Sequence, residues 1–249
     1  MTECVAREEL GELLSPSQVN TYLTCPAKWY FHYLLGLTEP PTGSLALGKA
    51  FHAVLATNFR RKLACGRDME LAEAREVFER EWMVASHDAQ LRDDEDTTEL
   101  TATGEALVDA YISDAACHIE PRSVEQPVEG TVANVKVRGI VDVLDINGCV
   151  IDFKTASKRP NGIPAEHRLQ LTTYAMVTPG ASGSCRLDTV TKTKTVQVIQ
   201  QTYDVGAEER RFAEALYPMV QDSIRDGCVP AASWQPVVFA PTLRILAPV

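Results

Sequence analysis

Two aspartates that interrupt apolar runs carry the first chemistry legible in this sequence. Asp142 closes Gly139-Ile140-Val141-Asp142, and Asp152 opens Asp152-Phe153-Lys154 ten residues later. A carboxylate inside a strand rich in Val, Ile and Leu is buried at substantial cost unless a cation or hydrogen-bond donors offset it. Two such groups therefore predict a hard-cation site of the kind that holds Mg²⁺ or Mn²⁺. Whether they share one ion depends on strand register. With a two-residue turn at Asn147-Gly148, Asp142 pairs with Phe153 and the two carboxylates point to opposite faces. With a three-residue loop, Ile146 to Gly148 with Gly148 left-handed, Asp142 lies across from Asp152 and Lys154 shares their face. A shared cation requires the three-residue loop, and that register is expected here.

These residues resemble the PD-(D/E)XK nuclease signature, and the resemblance extends to its RecB-like exonuclease branch. Leu14-Ser15-Pro16-Ser17 with Tyr22, Cys25-Pro26 and Tyr30 is similar to that branch's N-terminal motif. Gly48-Lys49-Ala50-Phe51-His52 is similar to its G-x-x-x-H motif, and Gln170-Leu171-Thr172-Thr173-Tyr174 to its Q-x-x-x-Y motif. Thr189 to Lys194 resembles the strand end that follows. One motif alone is weak; several in order, from about residue 14 to residue 200, are specific.

The resemblance implies a restriction-endonuclease-like core, an α/β fold with a mixed sheet flanked by helices behind a helical N-terminal part. It implies that His52, Asp142, Asp152 and the backbone carbonyl of Phe153 hold Mg²⁺ or Mn²⁺, the imidazole suiting Mn²⁺ somewhat better. Lys154 would orient or deprotonate the attacking water and stabilise transition-state charge. Gln170 and Tyr174, four apart on a helix, would position DNA phosphate or support Lys154. Gly48, one turn before His52, would let that helix approach the sheet, and Glu125 is a weaker candidate for a place behind the ligands or on a second metal. The implied activity is metal-dependent hydrolysis of phosphodiesters by a DNA nuclease, expected to be an exonuclease that leaves a 5′-phosphate. Its expected setting is recombination, repair or phage DNA processing, with DNA (single-stranded or duplex ends) and recombination or repair proteins as partners. The competing expectation is an inactive nuclease-fold subunit that binds DNA or scaffolds a recombination complex. The CRISPR-associated members of the branch hold an iron–sulfur cluster with one N-terminal and three C-terminal cysteines. Cys25 matches the first, but the C-terminal part offers only Cys228, so no cluster is expected and Cys25 reads as a small buried hydrophobe.

The elements that must position these residues are marked along the chain. Ser15-Pro16-Ser17-Gln18 opens a helix, Pro26 interrupts it after Thr24, and Gly36 ends the aromatic piece that follows. Apolar spacing predicts helices over 44–64, 71–85 and 100–119. The residues then become β-branched, predicting strands over 124–128, 135–146 and 149–153, a helix over 165–177, strands over 186–191 and 195–203, and a helix over 207–225. The order is that of one nuclease domain over 1–249: a mainly helical part to 120, a mixed-sheet core over 121–228 and a packing tail over 229–249.

Composition sets outer bounds. The chain has 249 residues, 45% of them hydrophobic, and a formal charge of -10. That charge disfavours a protein that coats nucleic acid but allows one that grips DNA along a single groove, with acidic residues such as Asp93 to Asp96 placed elsewhere. No apolar run is long enough to span a bilayer and Met1 to Leu10 lacks a signal segment, so the expected location is the cytoplasm, without membrane association. Seven scattered cysteines read as reduced thiols. Tyr22, Trp29, Tyr30, Phe31 and Tyr33 read as core. Arg60-Arg61-Lys62 reads as solvated surface, while Lys158-Arg159 and Lys192 with Lys194 flank the proposed site.

Overall fold

The computed structural model describes residues 11–93, 95–227 and 244–245. Its helix ends follow their capping residues. A two-residue strand, β1 (Leu13–Leu14), leads into α1 (Pro16–Thr24), where the Ser15 side chain accepts from the Gln18 N–H and Pro16 occupies the first turn. After Cys25 come a short helix, α2 (Pro26–Trp29), a π-helical turn (Tyr30–Leu34) and β2 (Leu37–Thr38). Thr42 caps α3 (Gly43–Cys65), which Gly66 ends in the left-handed conformation. Then follow α4 (Leu71–Ser86) and α5 (Thr97–Asp114). The start of α5 lies earlier than periodicity predicts because the Asp96 carboxylate accepts from the N–H groups of Thr98 and Glu99, which also holds its pKa down.

The remaining elements are β3 (Pro121–Val132), β4 (Val135–Asp145), β5 (Val150–Ala156), α6 (Ala165–Val177), β6 (Ser184–Thr191), β7 (Val198–Asp204), α7 (Ala207–Arg225) and a two-residue strand, β8 (Arg244–Ile245), paired antiparallel with β2. Strand β3 is more than twice as long as its β-branched run suggests. It forms a hairpin with β4 through Ala133 and Asn134, both at positive φ, a turn that the sequence marks only by the single Asn. The sheet is mixed: β5 and β6 run parallel, with α6 as their crossover, and β3–β4, β4–β5 and β6–β7 are antiparallel. Strand β4 is its hub, with β3 along one edge and β1 and β5 sharing the other in succession.

One layer over the sheet is built from α3, α4 and α5, whose Leu47, Phe51, Phe59, Phe78, Leu107 and Tyr111 pack with Val143, Ile151 and Phe153. On a second layer α6 brings Leu171 and Tyr174 against Val128, Val141, Leu144, Val150 and Leu187, and α7 closes a third cluster with α1 through Tyr217, Val220 and Val19. Among the described residues no helix is long and apolar enough to cross a membrane.

Several expectations need correction. Of the aromatic group only Tyr22 and Trp29 are buried; Tyr30 and Phe31 are half-buried and Tyr33 is exposed, because the π-turn swings them off the core. Cys25 is exposed, since it is the extended residue between two helices. Lys62 is buried, its ammonium donating to Asp68 and to the Ala116 carbonyl. The packing expected of residues 229–249, and the roles of Cys4 and Cys228, lie outside the described residues.

The loop between β4 and β5 places a demand that only glycine meets. Gly148 sits at φ +78, and a Cβ there would lie 2.6 Å from the Gly180 carbonyl oxygen and 2.9 Å from the Ser182 nitrogen. Both are backbone atoms, and the Ser182 N–H donates to the Gly148 carbonyl at 2.8 Å. Gly148→Ala is expected to lower stability by about 2–4 kcal/mol, adding left-handed strain to a backbone clash. Urea denaturation of both proteins measures it; a loss below about 1 kcal/mol would show that the loop yields.

Candidate active site

Strand register brings the two aspartates together. Val143 pairs with Ile151 and Leu144 with Val150, and the Asp145 N–H donates to the Cys149 carbonyl, so the loop is Ile146-Asn147-Gly148 and Asp142 stands directly across from Asp152. Beyond these pairs the ladder between β4 and β5 opens, and the freed Phe153 N–H donates to Asp142 Oδ2 at 2.9 Å.

A second irregularity aims Asp142. The pairs Val124–Val143 and Gln126–Val141 flank it, but Glu125 between them has φ +49, rare outside glycine. Val143 and Val124 pack with the α3–α5 cluster, whereas Val141, two residues earlier, packs with α6. Side-chain alternation therefore slips at Asp142 and Glu125, and both line one open cleft together with His52 and Lys154. Asp152 does not reach the cleft wall. It is 2% exposed and lies behind, where Gln170 Nε2 donates to its Oδ1 at 3.0 Å and Lys154 Nζ stands 2.6 Å from its Oδ2.

Helix α3 supplies His52, whose Nδ1 is 3.5 Å from Asp142 Oδ2. Burial is the main cause that lowers the imidazole pKa, the Lys154 ammonium adds to it, and Asp152 and the Phe153 backbone oppose it. A neutral ring with a lone pair is what metal coordination requires. Asp142 is pushed well above the usual carboxylate range, first by burial and then by Asp152, with Lys154 and the Phe153 N–H opposing and Glu125 adding repulsion. Burial pulls the Lys154 pKa down, but the charges of Asp152 and Asp142 outweigh it and the value is raised. Lys154 thus stands as an ammonium beside the two carboxylates, able to donate and not to accept a proton.

Helix α6 braces this arrangement. Gln170 Nε2 also lies 3.4 Å from Tyr174 Oη. The tyrosine ring lies against the backbone of β4, where a Cβ on Gly139 would sit 2.2 Å from Tyr174 Cε1, so this glycine makes room for it. Gln170 and Tyr174 therefore converge on Asp152 from the α6 side rather than from the cleft. Gly48 has a different use from the one expected: a Cβ there would meet only Thr155 Oγ1, at 3.5 Å, so its absence widens the cleft instead of allowing close packing. Sequence reasoning missed Arg92 and gave Arg60 to plain surface. Both line the cleft with Lys49, Lys154 and Lys192, whereas Lys158, Arg159 and Lys194 do not. No short-range pattern marks them, because they come from different elements.

The donor set fits a hard or borderline divalent cation. It comprises one imidazole nitrogen and two carboxylates, and Asp152 Oδ2, 2.6 Å from Lys154 Nζ, is a buried oxygen without a hydrogen bond of good geometry. Among the described residues no three His, Cys, Asp or Glu side chains are grouped so as to hold a metal ion as they stand. Lys154 and the Phe153 N–H hold the carboxylates in its place, as expected of buried charge that must be compensated.

Residues 13–232 match the family described as the PD-(D/E)XK nuclease superfamily. No curated protein matches the chain. Among solved structures, a presumptive exonuclease from Eubacterium rectale superposes over 90% of this chain and 85% of its own with TM-score 0.54 and 11% identity, a likeness of fold. The structure of SSO0001 is 18% identical over 69% of this chain and 86% of its own, but its TM-score of 0.33 is too low to bear on the fold.

Proposed function

The chain belongs to the PD-(D/E)XK nuclease superfamily, and on that premise we propose that it is a metal-dependent DNA nuclease, an exonuclease by preference, acting as one domain over residues 1–249 in cytoplasmic DNA recombination, repair or phage DNA processing. The observation that carries this reading is the strand register that sets Asp142 opposite Asp152, with His52 3.5 Å from Asp142 and both of these on a cleft lined by five cationic side chains.

His52, Asp142, Asp152 and the Phe153 carbonyl would hold Mg²⁺ or Mn²⁺, which when bound supplies Lewis-acid activation of water and neutralises the scissile phosphate. Asp152 is buried and Asp142, opposite it, is half-buried, so the pair attracts a cation that relieves their repulsion. Lys154, charged and reaching the cleft, donates to the attacked phosphate and stabilises charge as it develops on the non-bridging oxygens. Gln170 fixes Asp152 through its amide, and Tyr174 fixes Gln170. The cations along the cleft bind the DNA backbone.

Digestion of end-labelled DNA after treatment with EDTA tests this, followed by return of Mg²⁺ or Mn²⁺. Release of label is expected only with metal restored, and fragments from 5′-labelled and 3′-labelled strands report polarity. DNA binding without digestion under any divalent ion would instead support an inactive DNA-binding subunit.

A further inference from the structure

One ammonium at this site has two partners to serve. Lys154 Nζ stands 2.6 Å from Asp152 Oδ2, and the same group is the cation that an attacked phosphate requires. Asp152 is buried and does not line the cleft, whereas Lys154 is 26% exposed and does. Of the two, Lys154 alone reaches the cleft, so its ammonium screens the carboxylate from that side.

The two oxygens of Asp152 are held differently. Oδ1 accepts from Gln170 Nε2 at 3.0 Å, and Gln170 is braced in turn by Tyr174 Oη at 3.4 Å. Oδ2 has the Lys154 ammonium beside it but no hydrogen bond of good geometry. The Gln170 bond comes from α6 and fixes the carboxylate, whereas the lysine stem is flexible and open to the cleft. A divalent ion such as Mg²⁺ bonds a carboxylate oxygen at about 2.1 Å. On Oδ2 it would stand less than about 5 Å from an ammonium that is itself 2.6 Å from that oxygen. Two cations at that range repel strongly, so one must leave. Asp142 poses no such conflict, because its Oδ2 accepts from the Phe153 N–H at 2.9 Å, a neutral donor.

Resting on the nuclease reading above, we propose that Lys154 and the divalent ion occupy Asp152 in exchange, so that arrival of the ion releases the ammonium into the cleft for the DNA phosphate. Before the exchange Lys154 is the counter-charge of Asp152. After it the ion takes that part, and Lys154 lacks a counter-charge until a phosphate supplies one. Metal and DNA then bind with positive coupling, each tightening the other by the same factor. The lysine keeps its proton throughout, and no covalent bond is made or broken. Metal therefore loads preferentially onto protein that already holds DNA.

Calorimetric titration of Mn²⁺ into the protein without DNA tests the exchange. Lys154→Met, which keeps the stem and removes the charge, is expected to bind Mn²⁺ roughly tenfold more tightly than the wild type. Lys49→Met removes another cation that lines the cleft, and should change the affinity by less than about twofold. Equal affinity of wild type and Lys154→Met, or equal gains in both variants, overturns the exchange. A second measurement uses the wild type alone, so it stands even where a variant does not fold. Amine acetylation read by mass spectrometry, with and without Mn²⁺, should show modification of Lys154 rising several-fold relative to Lys49 when the ion is bound. An unchanged ratio overturns the exchange while the nuclease reading stands. Absence of Mn²⁺ binding by every form removes the metal-dependent nuclease reading itself.

Discussion

Asp152→Asn is expected to lower DNA hydrolysis by about a hundredfold to a thousandfold, at fixed Mg²⁺ or Mn²⁺, with little loss of stability. The change removes one of two opposed carboxylates and with it much of the attraction for a divalent ion. Its structural cost is small for reasons visible around the site. An amide oxygen can still accept from Gln170 Nε2, as Asp152 Oδ1 does at 3.0 Å. Lys154 keeps Asp142 as an electrostatic partner and is 26% exposed, so its ammonium is not stranded. Asp142, relieved of its neighbour's charge, ionises more easily, since Asp152 is the second cause after burial that raises its pKa. Stability should therefore stay within about 1 kcal/mol of the parent. Hydrolysis rates and urea midpoints measured on the same preparations check both halves. Undiminished hydrolysis would remove Asp152 from the chemistry, and a stability loss of several kcal/mol would make it chiefly a structural residue.

The reverse pattern is expected at Asp188. This carboxylate is fully buried on β6, where it accepts from Arg186 Nε at 2.6 Å, Arg186 Nη2 at 2.6 Å and Tyr111 Oη at 2.6 Å. Asp188 pairs in register with Phe153, and Tyr111 packs its ring 5.4 Å from that of Phe153. The network thus ties α5 to the sheet directly beneath the site. Asp188→Ala leaves Arg186 without a counter-charge at 14% exposure and the Tyr111 hydroxyl without an acceptor. Removal of one partner from a buried, hydrogen-bonded ion pair costs about 3–5 kcal/mol. Tyr111→Phe, which leaves the ion pair whole, should cost about 1–2 kcal/mol. Urea denaturation with an unchanged slope is the measurement, and equal losses for the two variants would contradict the assignment of the larger share to the ion pair.

Together these expectations divide the charged interior into two kinds. At Asp188 every oxygen is answered by a donor from the chain, so the group contributes to folding. At Asp142 and Asp152 two carboxylates are near enough to repel, and one Asp152 oxygen has the Lys154 ammonium beside it but no hydrogen bond, so the fold carries a cost that a bound cation would offset. Such a cost is tolerated most often where chemistry is done.

Much of this was legible in the sequence because its causes are local. The cap at Ser15, the glycine after α3, the β-branched runs of β4 and β5 and the left-handed Gly148 all act within a few residues, so their signals lie side by side in the chain. The three-residue loop is decisive among them, since a shift of one residue would turn Asp142 and Asp152 to opposite faces. Less could be read where the cause is remote. The length of β3 comes from pairing with β4, which its own residues do not announce. The slip of alternation at Glu125 and Asp142, which turns Asp142 into the cleft, follows from two helical layers competing for the same strands. Gly48 and Gly139 look alike as sequence, yet one opens a cavity and the other admits a tyrosine ring.

The sequence by itself determined the identity of the acidic pair and the order of elements that carries it, because strand period and turn chemistry are short-range, but it left two registers open, and the pairing of β4 with β5 chose between them. Tertiary structure alone decided which cations reach the cleft and that Asp152 lies behind it. Those outcomes depend on where separate helices and strands come to rest against one another, and distance along the chain says nothing about that.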